Sequence, residues 1–448
     1  MKDLINSRLE LFPISTTCAE KDGHVYLTIG GCYLTELAEK YGTPLYVYDR
    51  ATMDENARIY REALAAKYPA VSGITYAGKA YLCLAIAQWT KSQDLWLDCT
   101  GIGELSIAST AGIQPQSVVL HGVNKTKQDL TAGFEKAGTI VVDNLTELDN
   151  IVDLVESQAN PCPELWLRLR PGTSVDSHPY TQTGQLLSKF GMNAAEILTA
   201  VNLCKSHRLS LNGLHFHLGS HFHDPSPLKP AIETALRLLA LIRAETGWYP
   251  QTLSTGGGWG VAYHEDDLPY PSVVEYISVI CHSIVKGCTE NKLSLPRLQI
   301  EPGRSLVAQA GVAVYQVGVT KIANDRRWIL LDGGLADNPR PALYGARYSA
   351  LPVIDPGRPY DSPTWLAGPY CESGDVLIDG LPMADLEPGE WVAIPTSGAY
   401  QLSMGSNYNG ARRPAVVWVD RGKAYLIQRR ETTEDLIQRD FDINLYIN

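Results

Sequence analysis

Ile74-Thr-Tyr-Ala-Gly-Lys-Ala80 is a short β-type run that ends on small residues, carries one lysine and passes into an apolar stretch of helical character. Lys79 is the only charged side chain between Lys67 and Lys91. An amine held in low dielectric loses solvation, its pKa falls, and the neutral nucleophile becomes accessible; lysines form Schiff bases in this way. The plainer reading is a lysine whose stem is packed while its head reaches water.

Seven more runs of the same kind follow, at 95–100, 117–123, 139–144, 164–171, 211–220, 252–258 and 297–303, counting 74–80 as the first. Between them lie segments of helical period: 102–111, 125–137, 193–207, 225–246 and 271–287, with another at 51–68 ahead of the first run. Gly112, Gly138 and Gly247 stand where a helix is expected to stop. Eight βα units over some 250 residues fit a (β/α)8 TIM-like barrel, with a doubly wound sheet as the competing layout. After Arg304 the pattern changes to apolar alternation broken by turn residues, as in 312–319, 328–331, 391–394, 415–419 and 423–427. These read as strands of an antiparallel β-sandwich or barrel. His24–Ile29 and Leu45–Tyr48 flank a short helix at 34–41 and are expected to join that β domain. The division is therefore 1–49 as N-terminal strands, 50–305 as the barrel and 306–448 as the C-terminal β domain.

The chain has 448 residues, 45% hydrophobic and 19% charged, and a formal net charge of -11. That average field disfavours nucleic acid or an anionic membrane as partner. Nine cysteines, an odd number without a Cys-x-x-Cys pair, point to mostly buried thiols in a reducing compartment. The first residues lack an apolar signal core, and no run approaches the ~20 apolar residues of a membrane span. The expectation is a cytoplasmic protein with no membrane and no nucleic-acid partner.

In a barrel, chemistry collects at the C-terminal ends of the strands. The ends of the eight runs carry Lys79, Asp98, His121, Asp143, Arg170, the segment His215 to Ser220, Gly256-Gly257-Gly258, and Glu301 with Arg304. Three glycines after the seventh strand suit backbone approach to a phosphate. Glu301-Pro-Gly-Arg304 turns sharply and would set a carboxylate beside a guanidinium. The histidines from His215 to His223 allow two readings: ligands of a metal-dependent hydrolase, or one flat ring over an aromatic cofactor with Ser220 as donor.

Tyr76-Ala-Gly-Lys79-Ala, Asp98 in Leu-Asp-Cys-Thr-Gly-Ile-Gly-Glu104-Leu, Lys189-Phe-Gly191, His217-Leu-Gly-Ser220, Gly256-Gly-Gly258, Glu301-Pro-Gly-Arg304, Arg340-Pro-Ala-Leu-Tyr344, Cys371-Glu-Ser373 and Gly398-Ala-Tyr400 occur in the order found in diaminopimelate decarboxylases. The chain resembles that family, in the alanine-racemase-like (fold type III) class of pyridoxal-phosphate enzymes, from about Leu11 onward. The resemblance implies a pyridoxal 5'-phosphate-binding barrel followed by a β domain. It implies decarboxylation of meso-2,6-diaminopimelate to L-lysine, the last step of lysine biosynthesis. Lys79 would hold the cofactor as a Schiff base, Glu301 would face its ring nitrogen, His217 would stack on the ring, and Asp98 would organise the surroundings of Lys79. Gly256, Gly257, Gly258, Ser220 and Tyr400 would hold the phosphate, with Arg304 between phosphate and substrate. Arg340 and Tyr344 would take the distal carboxylate, Glu372 the distal ammonium, and Cys371 would return a proton to the reacting carbon. Because Cys371 and Glu372 reach the partner's site in this family, a homodimer with shared active sites is implied. Tyr81 and His221 differ from the family's usual asparagine and glutamine. Alternatives are a pyridoxal-phosphate decarboxylase of ornithine, arginine, carboxynorspermidine or a specialised-metabolite precursor, an amino-acid racemase, a silent cofactor carrier, and the hydrolase built on His215–His223. No metal site is assigned.

Overall fold

The computed structural model describes residues 2–157, 161–360 and 362–443; the outermost residues of the expected terminal segments, 1 and 444–448, lie outside the described residues. The chain divides into two units, one of Asp54–Val261 with Pro269–Leu306, the other of Met1–Met53, Ala262–Leu268 and Val307–Asn448.

The first unit is a closed barrel of eight parallel strands. In chain order they are β1 (Ser72–Ala77), β2 (Trp96–Cys99), β3 (Val118–Leu120), β4 (Thr139–Val142), β5 (Glu164–Arg168), β6 (Leu211–His215), β7 (Thr252–Ser254) and β8 (Arg297–Ile300). β8 pairs in parallel with β1, Leu298 opposite Ser72 and Ile300 opposite Ile74, so the sheet has no edge and the doubly wound layout is excluded. Each strand is shorter than the run that announced it, because the last residues of each run turn out of the ladder; Gly78–Ala80, for instance, forms a 3-10 turn.

Helices Leu84–Ser92, Ile102–Thr110, Lys127–Lys136, Leu145–Ser157, Ala194–Ser206, Leu228–Thr246 and Val273–Glu290 link successive strands. Three of them start on reciprocal capping boxes, Thr126 with Asp129, Asn193 with Glu196 and Ser272 with Glu275, which satisfy donors that the first turn leaves open. Gly247 ends the sixth at φ 72, a backbone state that suits glycine. The barrel is filled, not hollow. Trp96 and Trp166 stack with ring centroids 6.3 Å apart, and a Cβ on Gly213 would stand 2.2 Å from Trp166, so β6 can approach only as glycine there.

In the second unit the long strand Gly311–Ala323 pairs antiparallel with Leu45–Asp49, Trp391–Ile394 and Arg326–Leu331. The N-terminal strand Leu45–Asp49 thus joins C-terminal ones, as expected. The sheet is mixed and not purely antiparallel: Ala415–Asp420 runs parallel to Leu45–Asp49, and Ser362–Ala367 parallel to Arg326–Leu331. His24–Ile29 joins a separate three-stranded antiparallel sheet with Thr17–Lys21 and Cys32–Tyr33. A core of Leu27, Ile29, Leu37, Val47, Val312, Val314, Val353 and Val417 ties these pieces together.

Candidate active site

At the C-terminal end of the barrel, β2, β3, β4, β5, β6 and β8 bring Asp98, His121, Asp143, Arg168, His215 and Glu301 together, all buried. Glu301 is the centre. Its Oε1 accepts from Ser254 Oγ at 2.6 Å, its Oε2 lies 3.1 Å from His215 Nε2, and His121 Nε2 is 3.6 Å from Oε1. Burial alone would raise the Glu301 carboxyl; the His215 and His121 rings outweigh it and hold the group well below the usual carboxylate range. Burial also pulls His215 down to about 4, so near neutrality the ring is uncharged and donates Nε2–H to Glu301, while His215 Nδ1 is buried without a hydrogen bond.

Around this centre Asp98 is pushed up, first by burial and against the pull of His121 and Lys79. Its Oδ1 and His121 Nε2 stand 3.9 Å apart, and neither makes a hydrogen bond. Lys79 follows β1 in the Gly78–Ala80 turn and is exposed, not set in the low-dielectric surroundings that its isolation in the sequence suggested. Its ammonium nevertheless lies close enough to Asp98, Glu104 and His217 to bias all three. His217 is half-buried and held neutral, above all by burial and then by Lys79 and Arg168; its Nδ1 accepts the Gly257 N–H at 3.2 Å.

The glycine run is shaped by close approach. A Cβ on Gly256 would lie 2.6 Å from His217 Nδ1, one on Gly257 1.9 Å from the Glu301 carbonyl oxygen, and one on Gly258 2.0 Å from that of Gly219. Gly256 (φ +68) and Gly258 (φ +109) also take backbone angles that favour glycine. The Gly256 N–H is directed at Ser254 Oγ, 3.3 Å away. Arg304, buried at the start of the helical turn after β8, donates Nη2–H to Ser220 Oγ at 3.1 Å.

Sequence reasoning named Arg170, but the guanidinium in the cluster is Arg168. Arg170 lies two residues past the end of β5 and donates to the Ser188 carbonyl. Arg168 faces Asp143 at 3.4 Å and lies 4.6 Å from the Phe190 ring centroid, so Lys189-Phe-Gly191 braces it. Ser254, the last residue of β7, was also missed; its signal was its place directly before the glycines. The histidines of the hydrolase reading do not converge. His215 turns to Glu301 and His217 to Gly257, while the rings of His221 and His223 face each other at 4.9 Å. The single group of three potential metal ligands among the described residues is a different one, His121, His215 and Glu301, with ligand atoms within 4.8 Å.

Five candidates belong to the second unit. Arg340 is buried at the start of helix Arg340–Tyr344, and Tyr344 Oη lies 3.8 Å from Met404 Sδ. Cys371 and Glu372 are exposed; the Cys371 N–H donates to Asn409 Oδ1 at 2.9 Å, and Glu372 Oε1 accepts from the Gly374 N–H at 3.2 Å. Tyr400 sits at φ 58, a left-handed state that costs a non-glycine residue on the order of 1 kcal/mol and clusters at functional sites.

A family model for the pyridoxal-binding domain of pyridoxal-dependent decarboxylases matches residues 51–308. The diaminopimelate decarboxylase of Bacillus subtilis (strain 168) is 37% identical over 427 residues, 94% of this chain and 97% of that protein. That of Synechocystis sp. is 37% identical over 442 residues, 96% and 92% of the two chains. Among solved structures, the diaminopimelate decarboxylase of M. jannaschii in co-complex with L-lysine superposes with a TM-score of 0.87 at 30% identity, covering 95% of this chain and 98% of that one.

Proposed function

The chain belongs to the pyridoxal-dependent decarboxylases, among them to the diaminopimelate decarboxylases, and we propose that it converts meso-2,6-diaminopimelate to L-lysine with pyridoxal 5'-phosphate at the mouth of its barrel. The observation that carries this reading is Glu301, a buried carboxylate kept anionic by Ser254, His215 and His121 and encircled by strand ends. The residues present suit the cofactor. A buried anion matches a protonated ring nitrogen, the unbonded polar atoms His121 Nε2, His215 Nδ1 and Asp98 Oδ1 offer partners for ring substituents, and the Arg304–Ser220 pair and the glycine backbone suit a phosphate.

When bound, the cofactor supplies an electron-withdrawing ring into which the electron pair freed by loss of CO2 can spread. Lys79 Nζ would hold it covalently, in the surroundings that Asp98 and Glu104 share with that amine. Glu301 would face the ring nitrogen and favour its protonation; opposite unit charges ~4 Å apart at an effective dielectric of ~20 attract by about 4 kcal/mol, roughly three pKa units. His217, neutral and anchored through Nδ1 to Gly257, would cover one ring face and exclude water from it. Asp98 would orient the Lys79 amine, and Gly256 to Gly258 with Ser220 and Arg304 would take the phosphate, Tyr400 being added on its family motif. In the second unit, each residue enters on the family motif in which it stands: Arg340 and Tyr344 for the distal carboxylate, Glu372 for the distal ammonium, and Cys371 Sγ to return the proton to Cα. The assembly proposed with this chemistry is a two-fold homodimer in which Cys371 and Glu372 serve the partner's site, located in the cytoplasm. Among the described residues no helix is long and apolar enough to cross a membrane.

Two measurements test the reading. Borohydride reduction followed by peptide mass analysis should place the cofactor on the Lys79 peptide, and an unmodified peptide refutes the attachment. CO2 release should be fastest from meso-diaminopimelate in a panel with ornithine, arginine and carboxynorspermidine; preference for another amine overturns the substrate assignment.

A further inference from the structure

Arg340 is held by a buried polar chain that the reading above does not require. Its side chain lies 4.2 Å from the Tyr263 ring centroid and 5.5 Å from that of Tyr348, and its Nη1 donates to Tyr348 Oη. Tyr348 Oη also accepts from Gln401 Nε2 at 2.9 Å, and the same Nε2 lies 3.2 Å from Ser397 Oγ. On its other side Gln401 Oε1 faces Tyr46 Oη at 2.8 Å, and that hydroxyl stands 3.0 Å from Asp337 Oδ2, into which Tyr315 also donates. Arg340, Tyr348, Gln401, Tyr46, Tyr315 and Asp337 are all buried.

The donor directions at the Arg340 end of this chain are fixed. A guanidinium has only donors, so Tyr348 must offer Arg340 a lone pair. Its second lone pair takes the Gln401 amide N–H, which turns the Gln401 carbonyl toward Tyr46 and the Asp337 end. With Nη1 committed and the ring of Tyr263 beneath it, the plane of the Arg340 fork is set. Its Nε remains buried without a hydrogen bond, a donor awaiting an acceptor. A planar fork binds a carboxylate through two parallel bonds only when its tilt is right, so whatever fixes the tilt governs recognition of that group.

We propose that Tyr348 and Gln401 are positioning residues that orient Arg340 for the second carboxylate of the substrate, so that they set the preference for diamino diacids over amines lacking that group. The proposal rests on the reading of Arg340 given above, and the experiment separates the two. It uses holoenzyme carrying Tyr348→Phe, Gln401→Met or Arg340→Ala. L-lysine keeps the distal carboxylate and cadaverine is the same chain without it, so their inhibition constants report that contact alone. Tyr348→Phe and Gln401→Met should each raise KM for diaminopimelate and weaken L-lysine inhibition by the same factor, roughly tenfold. Inhibition by cadaverine and kcat should stay within about twofold, whereas a merely structural role would move all four together. Equal loss of cadaverine inhibition, or no change for L-lysine while Arg340→Ala abolishes its binding, overturns the positioning role alone. If Arg340→Ala also leaves L-lysine inhibition intact, the assignment of Arg340 falls with it. Gln401→Met keeps Tyr348 in place and gives the same discrimination if Tyr348→Phe does not fold.

Discussion

His215 and Glu301 show how a buried pair sets the charge of a site. The folded-state pKa of His215, about 4, lies below its ordinary 6.5, so between those values the unfolded chain binds a proton that the native ring refuses. Its contribution is therefore complete above about pH 6.5 and declines as the pH falls toward 4, by a total on the order of 3 kcal/mol. The Glu301 carboxyl, also held low, adds acid sensitivity at still lower pH. We expect the urea midpoint of the wild-type protein to fall more steeply between pH 7 and 5 than that of His215→Asn, which cannot titrate there; parallel profiles would remove His215 from the account. Glu301→Gln keeps the shape of the side chain and removes its charge. Without the roughly three pKa units of ring-nitrogen stabilisation, kcat/KM should drop at least ~100-fold while Lys79 still takes up borohydride-reducible cofactor. A variant with near wild-type turnover would show that the ring nitrogen does not depend on this carboxylate.

At the level of elements, the ends of β7 and β8 approach so closely that side chains are excluded between them. In Gly257→Ala the added methyl would meet the Glu301 carbonyl at 1.9 Å, and the residue's own N–H, which donates to His217, would move with it. Gly247→Ala is a useful contrast, since its Cβ would meet nothing within 4 Å and only its φ of +72 is unfavourable. Denaturation should show about 1 kcal/mol lost at Gly247 and more than about 2 at Gly257, with cofactor affinity reduced only in the latter. Equal losses would mean that backbone angle, not close approach, requires both glycines. The same strand ends explain what could be read from the sequence. All eight strands were visible because each is an apolar run bounded by turn residues, and their C-terminal ends named Lys79, Asp98, His121 and Glu301. Arg168 was overlooked for Arg170 because composition does not say where a strand leaves its ladder. His215 was seen as a potential ligand and not as the partner of Glu301, since that contact joins residues 86 apart in sequence. The parallel pairings of Ala415–Asp420 and Ser362–Ala367 escaped for a similar reason: alternation shows which face of a strand is buried, not the direction of its neighbour.

For the whole molecule, the remaining question is whether one chain completes a site. Cys371 and Glu372 are exposed on this chain, which is the condition for their serving a second copy. Lys79→Ala removes cofactor attachment and Cys371→Ala removes the proposed proton donor, so each protein alone should be inactive. If the residues serve the partner's site, a heterodimer of the two variants carries both defects in one site and neither in the other. Random exchange between equal amounts makes half of all dimers heterodimers, each with one intact site of two, so the mixture should recover about a quarter of wild-type activity per site. If both residues instead act within their own chain, every site in the mixture retains one defect and no activity returns. Exchange is verified separately by mass-labelling one variant, which makes an inactive but fully exchanged mixture evidence against shared sites and not a failure to mix.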